Sequence, residues 1–430
     1  MRKSFAIYQL RGLFLMHKIL AAITSLPFIF AVIACPLHAG EKDDAKAAER
    51  AMIAKICKDP LLKAAAIKHG EENESESFKP IVAWDMEVAC AQAELSPTPI
   101  HDAADPSPEG GHSHWVTGTA FSSDGTKIVS SSFDGTVRVW DVATGKPLTR
   151  IEAGDIIRNA AGADARSRVR SAHFISPTEI VAGADNTPVR VYDAATGEKK
   201  GEISFVKRDK DHLFPPSMAV TSTGLLILGG NADDVIVYDW PSKKESFRLP
   251  GHTTNVWSVA VTEAASLIAT GSDGDAQKDL ARIQLWRLDS GKKIGEFMAE
   301  GDDTPQGLAF SPDGKRLAVL VGGMIQIHAV EGFNKIGSIK VHPKFSSSSL
   351  TFTADGKGII SCMRHPILWN AETGKRVLHF GPFNDLCHSV RLSPNGKYAV
   401  TGSMGSDVRI WEVETGTFFR RLGQNVHPPG

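Results

Sequence analysis

The feature that most constrains this chain is a short strand-and-turn pattern that recurs down its length. The stretch DGTVRVWDVATGKPLTRI, residues 134–151, holds a turn, a strand ending in Trp-Asp, a second turn and another strand. Aligning the aromatic that closes the third strand of each unit gives Trp140, Tyr192, Tyr238, Trp286, then His328 in the same slot, Trp369 and Trp411, at spacings of 41 to 52 residues. Turn signals keep phase with it. Asp124-Gly125, Asp313-Gly314, Asp355-Gly356 and Asn395-Gly396 precede the second strand, and Thr-Gly pairs at 144, 196, 373 and 415, with Ser290-Gly291, follow the third. Between them the sequence alternates, as in TVRVWD, PVRVYD and DVRIW. Alternation at period two describes antiparallel strands with one face more buried than the other. Seven in-phase units therefore predict an all-β repeat array.

These residues resemble the WD40-repeat family. Residues 111–154 carry nearly the whole pattern: Gly111-His112, FSSDG after the first strand, DGT before the third, and Trp140-Asp141. Residues 251–291 repeat it with Gly251-His252, IATGSDG and Trp286, while the other units keep strand and turn phase but lose the Gly-His pair. The resemblance implies a seven-bladed β-propeller over residues 111–424; the amino-terminal sequence adds the expectation of a bacterial, exported protein. Blades of four strands bury their faces against one another around an axis, and radial closure leaves only short protected edges. The resemblance further implies a buried hydrogen-bond tetrad of His112, Ser130, Asp134 and Trp140 in the first blade, and three of its members, His252, Thr270 and Trp286, in the fourth. WD40 rings usually close by lending an amino-terminal strand to the last blade. Here TFFRRLG after Trp411 supplies an outer strand itself, so either the ring closes without that clasp or a strand such as residues 79–88 attaches elsewhere.

The amino terminus has a different texture. Arg2, Lys3, Arg11 and Lys18 precede an apolar run, Ile19 to Cys35, interrupted by Pro27 and too short for a comfortable spanning helix. Residues 1–39 are expected to be an export signal, with processing after Ala39 competing with a lipobox-like cut before Cys35 that would leave an acylated cysteine. Residues 40–94 are Ala-rich, with Met52, Ile53 and Ile56 at helical spacing, and are expected to form a short helical segment closed by a Cys57–Cys90 disulfide. A Pro-rich linker, residues 95–110, leads into the propeller, and residues 425–430 form a tail. Cys362 and Cys387 are expected to be buried small hydrophobes within it.

A formal net charge of -1 gives no basic field to attract nucleic acid. No G-x-S-x-G elbow, Walker loop, H-E-x-x-H or paired C-x-x-C occurs, so no catalytic residue and no cofactor are assigned. Asp273, Asp275 and Asp279 in SDGDAQKD are a weak calcium candidate, because no bidentate Glu closes the loop. The resemblance implies a top contact face, and its slots fall on Trp115, Phe133, Arg168, Arg170, Phe214, Asn255, Trp257, Gln306, His388 and Met404. Exposed aromatic and arginine side chains are interface anchors. The function expected is that of a monomeric, non-catalytic scaffold, periplasmic or secreted, binding a protein or peptide. The alternatives are a periplasmic propeller enzyme, lactonase-like or oxidoreductase-like, and an envelope-assembly lipoprotein held at the membrane through Cys35.

Overall fold

A computed structural model describes Lys58 and residues 110–158, 164–204, 217–230, 235–275, 280–301, 304–341, 349–362, 365–381 and 386–423. The signal, the helical segment, the Cys57–Cys90 pair and nearly all of the linker lie outside these residues.

Seven four-stranded antiparallel sheets follow one another along the chain, each made of four consecutive strands. The first strand of each is innermost: Val116–Phe121, Val169–Phe174, Met218–Val220, Val256–Thr262, Gly307–Phe310, Ser349–Phe352 and Cys387–Leu392. Each touches the next, and the seventh touches the first, so the ring is closed. The second and third strands are buried on both faces, whereas the outer strand alternates exposed and buried positions. This follows from position: the middle strands lie between two neighbouring blades, and the outer strand meets solvent.

The core is accordingly divided among blade-to-blade seams. Ala120, Val129 and Val139 of blade one pack with Ala172, Ile180 and Ala182 of blade two. Leu226 and Leu228 of blade three meet Val181 and Val191 of blade two. In all seven blades the ladder between the third and outer strands slips by one residue at the recurring aromatic position. A bulge at that point twists the strand. The period visible in the sequence is thus a period of bulges.

The turns before the second strand share one device. Ser122 Oγ donates to Asp124 Oδ1 at 2.6 Å, and the same oxygen accepts from the Thr126 N–H at 3.0 Å. Ser311 with Asp313, Thr353 with Asp355, and Ser393 with Asn395 repeat it at 2.6 to 2.7 Å. Gly125 then takes φ of 72°, a left-handed value that a side chain would oppose.

Closure uses no exchanged strand among the described residues. The seventh sheet holds its own outer strand, Phe418–Arg421, as TFFRRLG implied. Blade seven meets blade one through Val400, Val408, Ile410 and Leu422 against Val116, Ile128 and Trp140. Thr119 Oγ1 lies 3.0 Å from Ser389 Oγ across this seam, and the Gly423 N–H donates to the Gly145 carbonyl at 3.0 Å.

Two expectations are corrected. Cys362 and Cys387 are buried, but they are disulfide-bonded to each other, tying the second strand of blade six to the first strand of blade seven. They stand far apart in their own sheets, and only packing of the two blades brings them together. The start of SDGDAQKD is strand rather than turn: Ser272 pairs with Arg282 and Asp273 with Ala281, lengthening the hairpin of blade four. Besides the blades, a small hairpin of Ile156–Arg158 and Asp164–Arg166 rises between blades one and two.

The closing seam predicts its own weak point. A Cβ on Gly402 would sit 2.6 Å from Val116 Cγ1 and 2.8 Å from Ser389 Oγ, whereas one on Gly337 meets nothing nearer than 3.7 Å. Gly402→Ala should destabilise the fold by about 1–3 kcal/mol, the usual cost of overpacking. Gly337→Ala should change stability by much less, and denaturant unfolding of both variants compares them directly.

Candidate functional site

The tetrad of blade one is complete. Trp140 Nε1–H donates to Ser130 Oγ at 2.8 Å, His112 Nε2 lies 2.8 Å from the same hydroxyl, and His112 Nδ1 lies 3.0 Å from Asp134 Oδ2. Asp134 also accepts from the Ser113 and Thr136 N–H groups and the Thr136 hydroxyl. Burial alone would raise this carboxyl. The hydrogen bonds donated by His112, Thr136 and Ser113 outweigh it and hold the group far below the usual range. In blade four His252 Nε2 lies 2.8 Å from Thr270 Oγ1, which accepts from Trp286 Nε1 at 2.9 Å, but His252 Nδ1 is buried without a hydrogen-bond partner among the described residues. Blades six and seven keep only the indole–hydroxyl pair, Trp369 to Ser361 and Trp411 to Thr401. In blade five His328 replaces the indole and stacks on Phe297 at 4.1 Å. These are structural networks, each satisfying polar atoms inside a sheet.

Four of the expected contact residues converge at the junction of blades one and two. Trp115 stacks on Phe133 with ring centroids 5.4 Å apart. The Phe133 N–H donates to the Trp115 carbonyl at 2.9 Å, which ties the turn to the mouth of the inner strand. Arg168 and Arg170 of blade two lie 5.0 and 5.1 Å from the Phe133 ring centroid. Arg170 is held by Asp185 through a fork at 2.9 and 3.3 Å. Arg168 is exposed and has no carboxylate partner among the described residues. His114 fills the side of the cluster, 5.8 Å from both aromatic rings, and burial with the nearby Arg168 charge keeps its pKa below the ordinary histidine value. The result is a flat aromatic platform edged by one neutralised and one unneutralised guanidinium.

The other predicted contacts disperse. Trp257 is 37% exposed on blade four, its indole bonded to Asp273, which also accepts from Thr304 at 3.1 Å. That carboxylate of the calcium candidate is therefore engaged by two donors; the Asp275 side chain and Asp279 lie outside the described residues. Asn255, Gln306 and Met404 are half-buried, and Phe214 lies outside the described residues. His388 sits on an inner strand against the Thr117 backbone and within electrostatic reach of Arg170, with its pKa lowered to about 4 by burial.

Sequence reasoning missed the small hairpin beside this cluster. Arg166 of the hairpin packs over Gly135, two residues from Phe133, and Ile156 and Ile157 are 67% and 40% exposed. The signal was a paired Ile in an otherwise polar connection.

With the geometry in view, comparison with known proteins places the repeats. The family profile for the WD domain, G-beta repeat, matches residues 109–141, 243–277 and 374–412. By that profile these three segments are WD40 repeats, set in a seven-bladed β-propeller. The chain is 22% identical over 350 residues to human apoptotic protease-activating factor 1, covering 71% of this chain and 26% of that protein. It is 26% identical over 250 residues to the transcriptional corepressor LEUNIG_HOMOLOG of Arabidopsis thaliana, covering 57% of this chain and 26% of the relative. It thus spans about a quarter of the length of either relative.

Two predictions follow from the networks. Trp140→Ala should cost about 3–5 kcal/mol through the cavity it leaves. Asp134→Ala should cost about 1–3 kcal/mol by orphaning the donors it serves, and calorimetric unfolding measures both. The second prediction concerns acid. Burial lowers His252 and His379 to about 4, so each binds a proton more readily in the unfolded chain, where the ordinary value is near 6.5. Their contribution is fully present above about pH 6.5 and is lost as pH falls toward about 4. The melting temperature at constant ionic strength should drop through that window, and His252→Gln should flatten the drop.

Proposed function

We propose that this WD40 propeller is an exported, non-catalytic interaction scaffold that grips a protein or peptide partner at the junction of blades one and two. The observation that carries the reading is the Trp115–Phe133 stack with Arg168 and Arg170 against it. Such a platform buries large area while keeping polar handles at its edge, the composition of interface hot spots. The blades beneath it hold the platform rigid, which lowers the entropy cost of binding. WD40 propellers commonly bind protein partners. One relative is by name a transcriptional corepressor and the other a protease-activating factor, which is compatible with repeats that bring proteins together.

Export is supported by the apolar run from Ile19 to Cys35 and by the Cys362–Cys387 disulfide, a bond that persists in oxidising compartments. Intact mass of the mature protein from its native-type host reads this directly. A chain starting near Gly40, or at an acylated Cys35, supports export, and an intact amino terminus in a soluble reducing fraction refutes it.

The binding face is tested by selecting peptides from a displayed random library on the full chain. A recurrent peptide motif is expected, with affinity reduced about tenfold or more in both Trp115→Ala and Arg168→Ala, the effect of losing a hot-spot side chain. The melting temperature of both variants should stay near that of the parent. Motifs bound equally well by both variants would reject this face.

A further inference from the structure

Four of the turns before a second strand are built alike, and three hold an aspartate where the fourth holds an asparagine. Asp124, Asp313 and Asp355 fill the slot in blades one, five and six, and Asn395 fills it in blade seven. In each turn Oδ1 accepts from a hydroxyl two residues before it at 2.6 to 2.7 Å and from a backbone N–H two residues after it at 3.0 to 3.1 Å. The other terminal atom, an oxygen in the aspartates and Nδ2 in Asn395, takes no part in this pattern. Replacing that nitrogen by oxygen leaves both bonds of the turn in place and adds a charge that strengthens them. The three aspartates show the effect: the hydroxyl and N–H donors hold each below the ordinary carboxyl value, Asp124 at about 2.

Asn395 also meets the chemical conditions for that replacement. It is exposed, and it opens the one Asn-Gly pair in the sequence. Gly396 carries no side chain to hinder the approach of its own backbone nitrogen to Asn395 Cγ. One bond opposes the reaction: the Gly396 N–H donates to the Ser393 carbonyl at 2.8 Å, so the nitrogen is available when the turn opens.

We propose that Asn395 is a site of spontaneous deamidation, and that the turn of blade seven accepts the aspartate product. The Gly396 nitrogen bonds to Asn395 Cγ, the Cγ–Nδ2 bond breaks, and the glycine proton leaves with Nδ2 as ammonia, closing a cyclic imide. Water then opens the ring, its hydroxyl going to a carbonyl carbon and its proton to the Gly396 nitrogen. Opening at Cγ gives aspartate and restores the main chain. Opening at the backbone carbonyl gives isoaspartate, with one extra carbon in the main chain. The folded turn suits the first product. It is wedged between blades: a Cβ on Gly396 would lie 2.7 Å from Ala354 Cβ of blade six, and one on Gly125 of blade one 3.5 Å from Pro394 Cδ. The extra carbon would also carry the carboxylate away from the Ser393 and Lys397 donors. Each event makes the formal net charge, -1 in the unmodified chain, more negative by a single charge. The site is separate from the Trp115–Phe133 platform and does not depend on the scaffold reading.

The full chain, kept folded in mildly alkaline buffer and sampled over time, tests this through the mass of its tryptic fragment 392–397, with aspartate and isoaspartate separated by chromatography. Conversion at Asn395 is expected ahead of the other asparagines, with aspartate the larger product. In the chain unfolded by urea, conversion should be faster and isoaspartate the larger product. Ser393→Ala frees the turn to open and should speed conversion in the folded chain about fivefold, the equivalent of one neutral hydrogen bond. Asn395→Asp should melt no lower than the parent, a readout that stands even if Ser393→Ala fails to fold. An Asn395 that stays intact while other asparagines convert would overturn the proposal. So would isoaspartate as the larger product in the folded chain, or an Asn395→Asp variant that melts below the parent.

Discussion

Everything in this molecule depends on the packing of one blade face against the next. A four-stranded sheet with two apolar faces has no stable existence alone in water, and here both faces are covered by neighbours all the way round. The Val116, Ile128 and Trp140 surface of blade one is completed by Val400, Val408 and Ile410 of blade seven, and the same arrangement recurs at the other described seams. Apolar burial between blades is thus a condition for each blade to exist, and the ring is cooperative by construction. The Cys362–Cys387 bond adds a covalent tie across one of these seams.

Burying whole strands brings polar atoms inside, and the blades solve this with unequal completeness. Blade one uses a four-member chain ending in a carboxylate anchored by several donors; among the described residues of blade four no carboxylate takes that place and His252 Nδ1 is without a partner. Blades six and seven reduce the device to an indole and a hydroxyl. What is common to all seven is the bulge at the aromatic position, which is geometric and tolerates Trp, Tyr or His. Backbone irregularity is therefore the conserved part of the repeat within this chain, and the hydrogen-bond network is an elaboration of it.

How much could be read from the sequence tracks how local the determining interaction is. Blade number, the strand phase and the tetrads of His112 and His252 were legible because turns and alternation act over a few residues. Of the residues expected on a contact face, Trp115, Phe133, Arg168 and Arg170 do lie together, at positions that the repeat phase gives. Their neighbours Ile156 and Ile157 were missed, since the hairpin that raises them lacks any periodic signature. The Cys362–Cys387 bond was missed because those cysteines belong to different sheets and meet only through packing. SDGDAQKD looked like a solvated turn, and strand pairing with Arg282 and Ala281 overrode its composition.

Among the described residues closure involves no shared strand, so every blade is built from consecutive strands and no described sheet runs across a boundary between blades. The two ends of the described ring also meet: a Cβ on Gly423 would lie 3.4 Å from the Gly111 Cα. Propellers that borrow a strand have one privileged starting point, which fixes where translation of the ring must begin and end. In this one the order of synthesis and the order around the circle are separable. Joining residues 423 and 111 and opening the chain at another junction would reproduce the same seven sheets, so the ring is circularly permutable in principle.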